Sequence, residues 1–251
     1  MIRLLFALLL GATTGAWAQV APVVTSLKTS KGTLKITSIT HGSLLFQFAG
    51  KTIYVDPWSQ VDLSSYPKAD WIFMTHDHAD HHDPKALAML KKADTQMVAN
   101  EVVAKQEPGT AVMKNGDRKV FGGVPVEAVA MYNFHPTPDG TTPHPKGVGN
   151  GYIFTFGGKR IYVAGDTGCT PEMKELKNID LAFLPMFEAR TMTPEEAAEC
   201  ARVFRPKVMY AYHYRNNDPT IAQRLLKDSG VDARIGAGSP PPPPATATPS
   251  R

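Results

Sequence analysis

The sequence predicts an α/β protein that folds as a four-layer αββα sandwich. Three observations support this fold class. The first part of the folded chain begins with several predicted β-strands. Strand–helix units follow these strands, and the second part of the chain repeats the same order. Since a sheet must bury its apolar face against another layer, two such repeats favour two sheets packed together with helices on the outer faces.

The first repeat begins with strands and ends with helices. Residues 34–39 alternate between apolar and polar side chains, and residues 43–48 and 51–55 flank a turn at Gly50, which is typical of a hairpin. The apolar run at residues 70–74 predicts a short buried strand. The elements predicted after it are a helix at residues 84–92 with Pro84 near its start, a strand at residues 96–99 and a short helix near Glu101.

The second repeat has the same order of strands and helices. Thr193 can cap a helix whose first turn holds Pro194 and Glu196, a combination that favours a helix start. The elements predicted for this repeat are strands at residues 124–131, 152–156, 160–164, 181–184 and 208–212, and helices at residues 171–176, 194–204 and 219–229.

The N-terminus is typical of a secretory signal peptide at residues 1–18. Arg3 gives a basic start, residues 4–10 are apolar, and Ala16-Trp17-Ala18 matches the small-x-small cleavage pattern before Gln19. The alternative, an uncleaved membrane anchor, is disfavoured because the apolar run is short for a bilayer. We therefore expect a periplasmic or secreted protein with no stable membrane anchor after cleavage.

A polar segment and a Pro-rich segment define the two ends of the predicted folded domain. We expect a polar lead-in at residues 19–32, a folded domain at residues 33–238 and a disordered Pro-rich tail at residues 239–251.

The chain of 251 residues is 43% hydrophobic and 20% charged, which is ordinary for a globular protein. Without the signal peptide its net charge falls from +4 to +3, which is compatible with an anionic small-molecule substrate. Basic residues do not cluster with aromatic ones, so nucleic acid is not a predicted partner.

The chain has two cysteines, Cys169 and Cys200. An exported protein can oxidise such a pair. Cys200 lies in a predicted helix and is typical of ordinary packing, so two free thiols are expected. The sequence leaves the oligomeric state open.

The most informative segment is the cluster at residues 75–82. His76, His78, Asp80 and His81 form the pattern H-x-H-x-D-H between a predicted strand and a predicted helix. His76 and His78 can close on one ion, while Asp80 and His81 can face a second ion beside it. A solvated His-rich loop is the simpler alternative, but four His and two Asp in seven positions favour metal binding.

Two ions need further ligands from elsewhere in the chain. Three candidates stand in loops or at strand ends: His144 in a long loop, Asp166 just past one strand and His213 at the end of another. His135 is an alternative to His144 as the middle histidine.

This order of motifs resembles the metallo-β-lactamase superfamily. The segments at residues 53–57, 144–147, 158–167 and 192–198 look like one branch of it, which contains the ascorbate-6-phosphate-lactonase-like proteins and N-acyl phosphatidylethanolamine phospholipase D. The similarity covers residues 33–235 and implies the metallo-β-lactamase fold. The resemblance favours His144 over His135, because the segment after His144 runs directly into the next strand as it does in this branch. It implies the following ligands: His76, His78 and His144 for the first metal, Asp80, His81 and His213 for the second, and Asp166 between the two.

The resemblance also suggests roles beside the metals. Asp56 would be a buried carboxylate behind the ligands, and His41 a donor or a substrate contact, although a loop histidine without a role is an equal alternative. No ligand role is expected for His82. Lys146 and Arg215 could attract an anionic group, against the alternative that each is a solvated charge.

The predicted function is an exported hydrolase with two divalent metal ions. Zn²⁺ suits the ligands best, and Mn²⁺ or Fe²⁺ also fit. A metal-bound hydroxide would attack an ester, lactone or phosphodiester, with Asp80 or His41 orienting or shuttling the proton. The alternatives are a non-catalytic exported metal-binding protein, which a closed coordination sphere would favour, and, less favoured, a β-lactamase.

Overall fold

A computed structural model describes residues 21–134, 136–137, 140–188 and 190–239. The predicted signal peptide, the alternative ligand His135 and residues 240–251 of the predicted tail lie outside the described residues. Within the described ranges, no helix is long and apolar enough to cross a membrane.

In the described part of the chain, the first sheet has seven strands in sequence order, β1 to β7. The first four pair in an antiparallel manner, and the pairs from β4 to β7 are parallel. The strands are β1 Val23–Thr29, β2 Gly32–Thr40, β3 Ser43–Phe48, β4 Lys51–Val55, β5 Trp71–Phe73, β6 Gln96–Ala99 and β7 Ala111–Val112.

The second sheet repeats this plan with seven further strands among the described residues, ordered β14-β13-β12-β11-β10-β9-β8. Its pairs from β8 to β11 are antiparallel and those from β11 to β14 are parallel. The strands are β8 Arg118–Phe121, β9 Val124–Met131, β10 Gly149–Phe156, β11 Lys159–Val163, β12 Leu181–Pro185, β13 Val208–Tyr212 and β14 Asp232–Ile235.

Five helices of the described residues lie between the strands. Asp83 caps α1 by accepting the N–H groups of Lys85 and Ala86. Thr193 and Glu196 cap α4 reciprocally, at the helix start that the sequence predicts. The helices are α1 Pro84–Leu90, α2 Glu101–Gln106, α3 Pro171–Lys174, α4 Pro194–Phe204 and α5 Thr220–Leu226.

Three separate apolar cores of the described residues define four layers. The central core lies between the two sheets and contains Phe46, Phe73 and Phe154. A second core joins the outer face of the first sheet to α1 and α2, and includes Leu87. The third joins the second sheet to α3, α4 and α5, and includes Phe204. The predicted αββα sandwich is therefore confirmed.

The structure corrects the predicted start of the folded domain. Residues 23–29 are not a polar lead-in but strand β1, which pairs with β2 through a hairpin. Its side chains alternate between half-buried and exposed, and only Val23 and Leu27 pack against the central core. An edge strand with so few apolar residues gives a weak periodic signal. The short strands β7, β8 and β14 were also not predicted.

The two cysteines are not free thiols. Cys169 follows β11, Cys200 lies in α4, and a disulfide joins them with a Cα–Cα distance of 5.7 Å. The prediction was wrong because it considered each cysteine alone. Packing of α4 on the second sheet brings its buried face to the loop that follows β11.

Candidate metal centre

The site lies where the parallel strands of both sheets end. Asp56 directly follows β4, and His76 comes three residues after β5. In the second sheet, Asp166 comes three residues after β11, and His213 directly follows β13. The carboxyl ends of parallel strands are the usual location of sites in α/β proteins, because loops there meet at one edge. Residues that are far apart in the sequence therefore meet in space.

The first cluster consists of His76, His78, His144 and Asp166. Each can offer one nitrogen or oxygen atom such that all these atoms lie within 4.8 Å of one another. His144 Nε2 lies 3.2 Å from His78 Nδ1. These are the residues predicted for the first metal together with the predicted bridging carboxylate.

The second cluster contains Asp80, His81 and His213, as predicted, and also His41. His81 Nε2 lies 3.1 Å from His213 Nε2. Asp80 Oδ2 lies 3.6 Å from His213 Nε2 and 3.9 Å from His81 Nε2. Donor atoms of all three predicted ligands thus converge on one small volume.

Asp166 belongs to the first cluster and also faces the second. Its Oδ1 lies 3.3 Å from His81 Nε2 and 3.2 Å from His213 Nε2. Its Oδ2 lies 3.6 Å from His144 Nε2. Each oxygen of one carboxylate is therefore directed at a different group of imidazoles.

Hydrogen bonds behind the clusters orient the ring nitrogens. Asp56 is fully buried and accepts the hydroxyl of Thr75 at 2.7 Å, so the Thr75 oxygen can accept the Nδ1–H of His76 at 3.0 Å. Asp56 also accepts Nδ1–H of His81 at 2.8 Å. Both histidines therefore can direct an unprotonated Nε2 into the site, as metal-binding histidines require.

His144 is oriented by a residue that the sequence analysis missed. Its Nδ1–H donates to Asn133 Oδ1 at 2.5 Å, which leaves Nε2 free to face His78 and Asp166. Asn133 precedes the predicted alternative ligand by two positions. Its polar side chain beside a strand end is the only signal in the sequence, and that signal is not specific.

The unpartnered atoms of the site fit a bound metal ion. His76 Nε2 and Asp166 Oδ1 are buried and make no hydrogen bond within the described residues. Burial lowers the pKa of His76 well below its ordinary value, and burial lowers the pKa of His144 to about 4. Both imidazoles are therefore neutral at physiological pH, which is the form that binds metals.

The carboxylates make the site attractive to a positive charge. Against the opposing effect of burial, Asp166 and Asp56 raise the pKa of His81 well above its ordinary value. In the same way, against burial, His213 and His81 hold the pKa of Asp166 well below its usual range. A divalent cation between these groups would satisfy the same carboxylates.

His41 lies behind Asp80. Its ring is fully buried, its Nε2 lies 3.0 Å from Asp80 Oδ2, and its centroid lies 3.6 Å from that of the His213 ring. Burial, with a smaller effect of His213, lowers the pKa of His41 to about 3. The predicted contact beside the metals is thus made through a carboxylate.

Three residues of the site have left-handed backbones, namely His41, Asp56 and His213, with φ of 48°, 47° and 49°. This conformation costs on the order of 1 kcal/mol or more for a residue with a Cβ. The strain persists because the surrounding hydrogen bonds hold each residue, including that from His213 N–H to the His41 carbonyl at 3.1 Å.

His82 and Lys146 each contact an acidic side chain away from the metal centre. His82 Nε2 lies 3.0 Å from Glu107 Oε1, and the expectation that it is not a ligand stays a prediction. Lys146 Nζ lies 2.9 Å from Glu172 Oε1 and 3.4 Å from the Tyr132 hydroxyl. Lys146 therefore pairs with a carboxylate outside both clusters.

A cavity of about 480 Å³ opens onto the clusters. It contains the predicted Arg215 and also Arg190, which the sequence analysis did not identify. Its lining consists of His78, Ala79, Asp80, Asp166, Phe187, Arg190, His213 and Arg215. A larger cavity, of about 780 Å³, includes Asn133 and both cysteines in its lining.

Arg215, in the lining of the smaller cavity, lies against two aromatic rings. The carbon at the centre of its guanidinium lies 5.2 Å from the Phe187 ring centroid and 6.0 Å from that of Trp58. One of its terminal nitrogens is 3.7 Å from Asp80 Oδ2. Aromatic contacts of this kind restrict a guanidinium without removing its hydrogen-bond donors.

Sequence comparison connects this site to known proteins. Residues 35–213 match the family described as Beta-lactamase superfamily domain. A UPF0173 metal-dependent hydrolase from Geobacillus sp. (strain WCH70) is 35% identical over 204 residues, which cover 76% of this chain and 89% of the relative. A UPF0173 metal-dependent hydrolase from Thermus thermophilus is 30% identical over 212 residues, covering 76% of this chain and 91% of the relative.

Solved structures show the same architecture. A protein from Parabacteroides distasonis assigned as a metal-dependent hydrolase has 46% sequence identity and a TM-score of 0.82, covering 86% of this chain and 99% of the other. Igni18, a metallo hydrolase from Ignicoccus hospitalis, has 24% identity and a TM-score of 0.68, covering 83% and 96%, and supports the fold alone. The finer resemblance to the ascorbate-6-phosphate-lactonase-like branch stays a prediction.

Proposed function

The chain belongs to the β-lactamase superfamily and is a metal-dependent hydrolase, and from this premise we propose that it is an exported enzyme with two adjacent divalent metal ions. The proposed reaction is hydrolysis of an ester, lactone or phosphodiester bond in a small anionic substrate. His76, His78 and His144 would hold one ion, and Asp80, His81 and His213 the other.

The position of Asp166 carries the two-ion proposal. One of its oxygens faces His81 and His213, and the other faces His144. With a single ion, one set of imidazole ligands beside the carboxylate would suffice. Two separate sets, one facing each oxygen, favour two ions. A bridging role also explains why an anionic oxygen is buried without a hydrogen bond among the described residues.

The donor atoms suit first-row transition metals. Both clusters consist of His and Asp side chains, which bind Zn²⁺, Mn²⁺ and Fe²⁺, and we propose zinc as the usual occupant. When bound, two such ions would acidify a water molecule and polarise an oxygen of the substrate. The side chains described above orient the ligand nitrogens toward the ions.

Asp80 is the residue we propose to touch the reacting water. Its side chain is 22% exposed and borders the cavity, so it can orient water beside the ligands and accept its proton. His41 is buried behind it and contacts Asp80 rather than the cavity. The sequence-based proposal that His41 is catalytic therefore becomes a proposal that it positions Asp80.

The arginines of the cavity support an anionic substrate. Arg190 and Arg215 both line it, and Arg215 lies against two aromatic rings, with one of its nitrogens near Asp80. A guanidinium is well suited to binding a carboxylate or phosphate in two-point contact. An open cavity beside the ligands also argues against the alternative of a closed metal-storage site.

Export is supported by the disulfide between Cys169 and Cys200. Such bonds persist in oxidising compartments and are rare in the cytosol. Expression of the full chain should yield a mature protein that starts at Gln19 and fractionates outside the cytoplasm. N-terminal sequencing that finds Met1 on the isolated protein would refute cleavage.

The proposed reaction is tested on purified mature protein. Elemental analysis should find about two transition-metal ions per chain, in line with the two-ion centre. The loaded protein is then assayed against lactones, phosphodiesters and β-lactams, and the metal-free protein serves as the control. Protein that holds no metal after reconstitution with zinc and with manganese would refute the proposal, and cleavage of β-lactams alone would contradict the proposed substrate class.

A further inference from the structure

The last described residues form a strap that ties the two sheets together beside the metal centre. We call residues 236–239 the C-terminal strap. Gly236 N–H donates to the Ala211 carbonyl of β13 at 2.8 Å, and Ala237 N–H donates to the Ser38 hydroxyl of β2 at 3.0 Å. The strap thus bonds to one strand of each sheet.

The strap then reaches the second cluster. The Gly238 carbonyl accepts the backbone N–H of His41 at 3.0 Å and the Thr40 hydroxyl at 3.1 Å. The hydroxyl of the next residue, Ser239, is hydrogen-bonded to His41 Nδ1. Residues separated by 198 positions therefore share one hydrogen bond behind the site.

The direction of each hydrogen bond follows from the groups involved. An ionised Asp80 carboxylate can only accept, so the His41 Nε2 at 3.0 Å must donate to it. A neutral imidazole has one N–H, which leaves His41 Nδ1 as an acceptor. The Ser239 hydroxyl must then donate to Nδ1, so the chain of donors runs from Ser239 through His41 to Asp80.

This arrangement also separates His41 from the ligands. Its atoms lie close enough to join the second cluster. Both of its ring nitrogens, however, are already engaged, Nδ1 by Ser239 and Nε2 by Asp80. His41 therefore acts through Asp80, which leaves Asp80, His81, His213 and Asp166 to present atoms to the second ion.

We propose that Ser239 is a positioning residue of the metal centre, which holds His41 in the tautomer that donates to Asp80 and so orients Asp80 for the second ion. This inference rests on the proposed two-ion function. It also assigns a site role to a residue that the sequence places at the start of a disordered tail. The rest of the strap supplies the rigidity, because its backbone is hydrogen-bonded to both sheets.

The metal-affinity test compares variants of the mature full-length protein. Ser239→Ala should weaken the second zinc ion roughly tenfold or more in a chelator competition, as is usual when a group that orients a ligand is removed. Ser239→Thr keeps the hydroxyl and should restore wild-type affinity. Ser30→Ala is the matched control, because it removes an exposed hydroxyl that donates to the Gly157 carbonyl, away from the clusters. Wild-type affinity in Ser239→Ala, or equal weakening in Ser239→Thr, would overturn the inference.

A second measurement does not depend on bound metal or on any variant. In ¹⁵N-labelled, metal-free wild-type protein, two-bond ¹H–¹⁵N correlation should show His41 protonated at Nε2 and unprotonated at Nδ1. Protonation at Nδ1 instead would overturn the inference. A wild-type protein that binds fewer than two ions would refute the proposed two-ion function, whereas His41 protonated at Nδ1 would overturn the role of Ser239 whatever the number of ions.

Discussion

Asp56 Oδ2 lies 2.8 Å from His81 Nδ1, so a carboxylate outside both clusters orients a proposed ligand of the second ion. The same carboxylate accepts the backbone N–H and the hydroxyl of Thr75 at 2.8 and 2.7 Å, and through Thr75 it also sets the orientation of His76. One buried acidic residue at the end of β4 therefore supports ligands of both proposed ions.

The first prediction concerns this carboxylate. Asp56→Asn keeps the shape but removes the charge and places an NH₂ group opposite existing donors, so zinc affinity should fall about 10- to 100-fold. The free energy of unfolding should also fall by about 1–3 kcal/mol, since a buried donor is left unpaired. Asp94→Asn, at a side chain that is 78% exposed, is the control. Chelator competition and denaturant unfolding that do not distinguish the two variants would count against this role.

The second prediction separates the two ions. Asp166→Asn should weaken both, because its two oxygens face both clusters. His213→Ala should leave about one ion per chain, since His76, His78 and His144 remain to hold the first ion of the two-ion centre. Elemental analysis after dialysis measures both results, and hydrolysis should fall in parallel.

The control for these ligand variants is His82→Ala. His82 bonds to Glu107 and lies next to His81 in the sequence, yet it belongs to neither cluster. Its replacement should leave both ions and hydrolytic activity in place. If His82→Ala loses an ion while His213→Ala keeps both, the assignment of the second site is wrong.

The third prediction concerns substrate charge. Arg215→Met should raise KM for an anionic substrate about tenfold or more, because a hydrogen bond to a charged group contributes about 1.5–3 kcal/mol. An uncharged analogue should be affected much less. Arg224→Met, at an arginine paired with Asp218 outside the cavity, should change neither. Equal effects of Arg215→Met on both substrates would indicate a packing role in place of charge recognition.

The fourth prediction concerns the disulfide. Cys169 and Cys200 close a loop with a sequence separation of 31 residues, and a loop of this length constrains the unfolded chain. Reduction should lower the free energy of unfolding by about 2–4 kcal/mol. The measurement is denaturant unfolding with and without reductant, and the double variant Cys169→Ala/Cys200→Ala is the control that should not respond to reductant. Two thiols that react without prior reduction would contradict the bond.

The local parts of the site could be predicted from the sequence. The strands at residues 43–48, 51–55 and 124–131 have the predicted bounds, because alternation and glycine turns depend on neighbouring residues. The ligand pattern at residues 76–81 is equally local. Positions at predicted strand ends and in a loop suggested His144, Asp166 and His213, the resemblance to a family assigned each to a metal, and the structure brings each of them to the clusters.

The sequence by itself determined the αββα order of elements and the residue types of the metal centre. Only the tertiary structure decided which distant groups support it: Asn133 behind His144, Ser239 behind His41, and Cys169 paired with Cys200. The physical reason is that the periodicity of apolar residues predicts which residues are buried but not which residues they contact. Those partners are set by the packing of two sheets and their outer helices, which brings together side chains up to 198 positions apart.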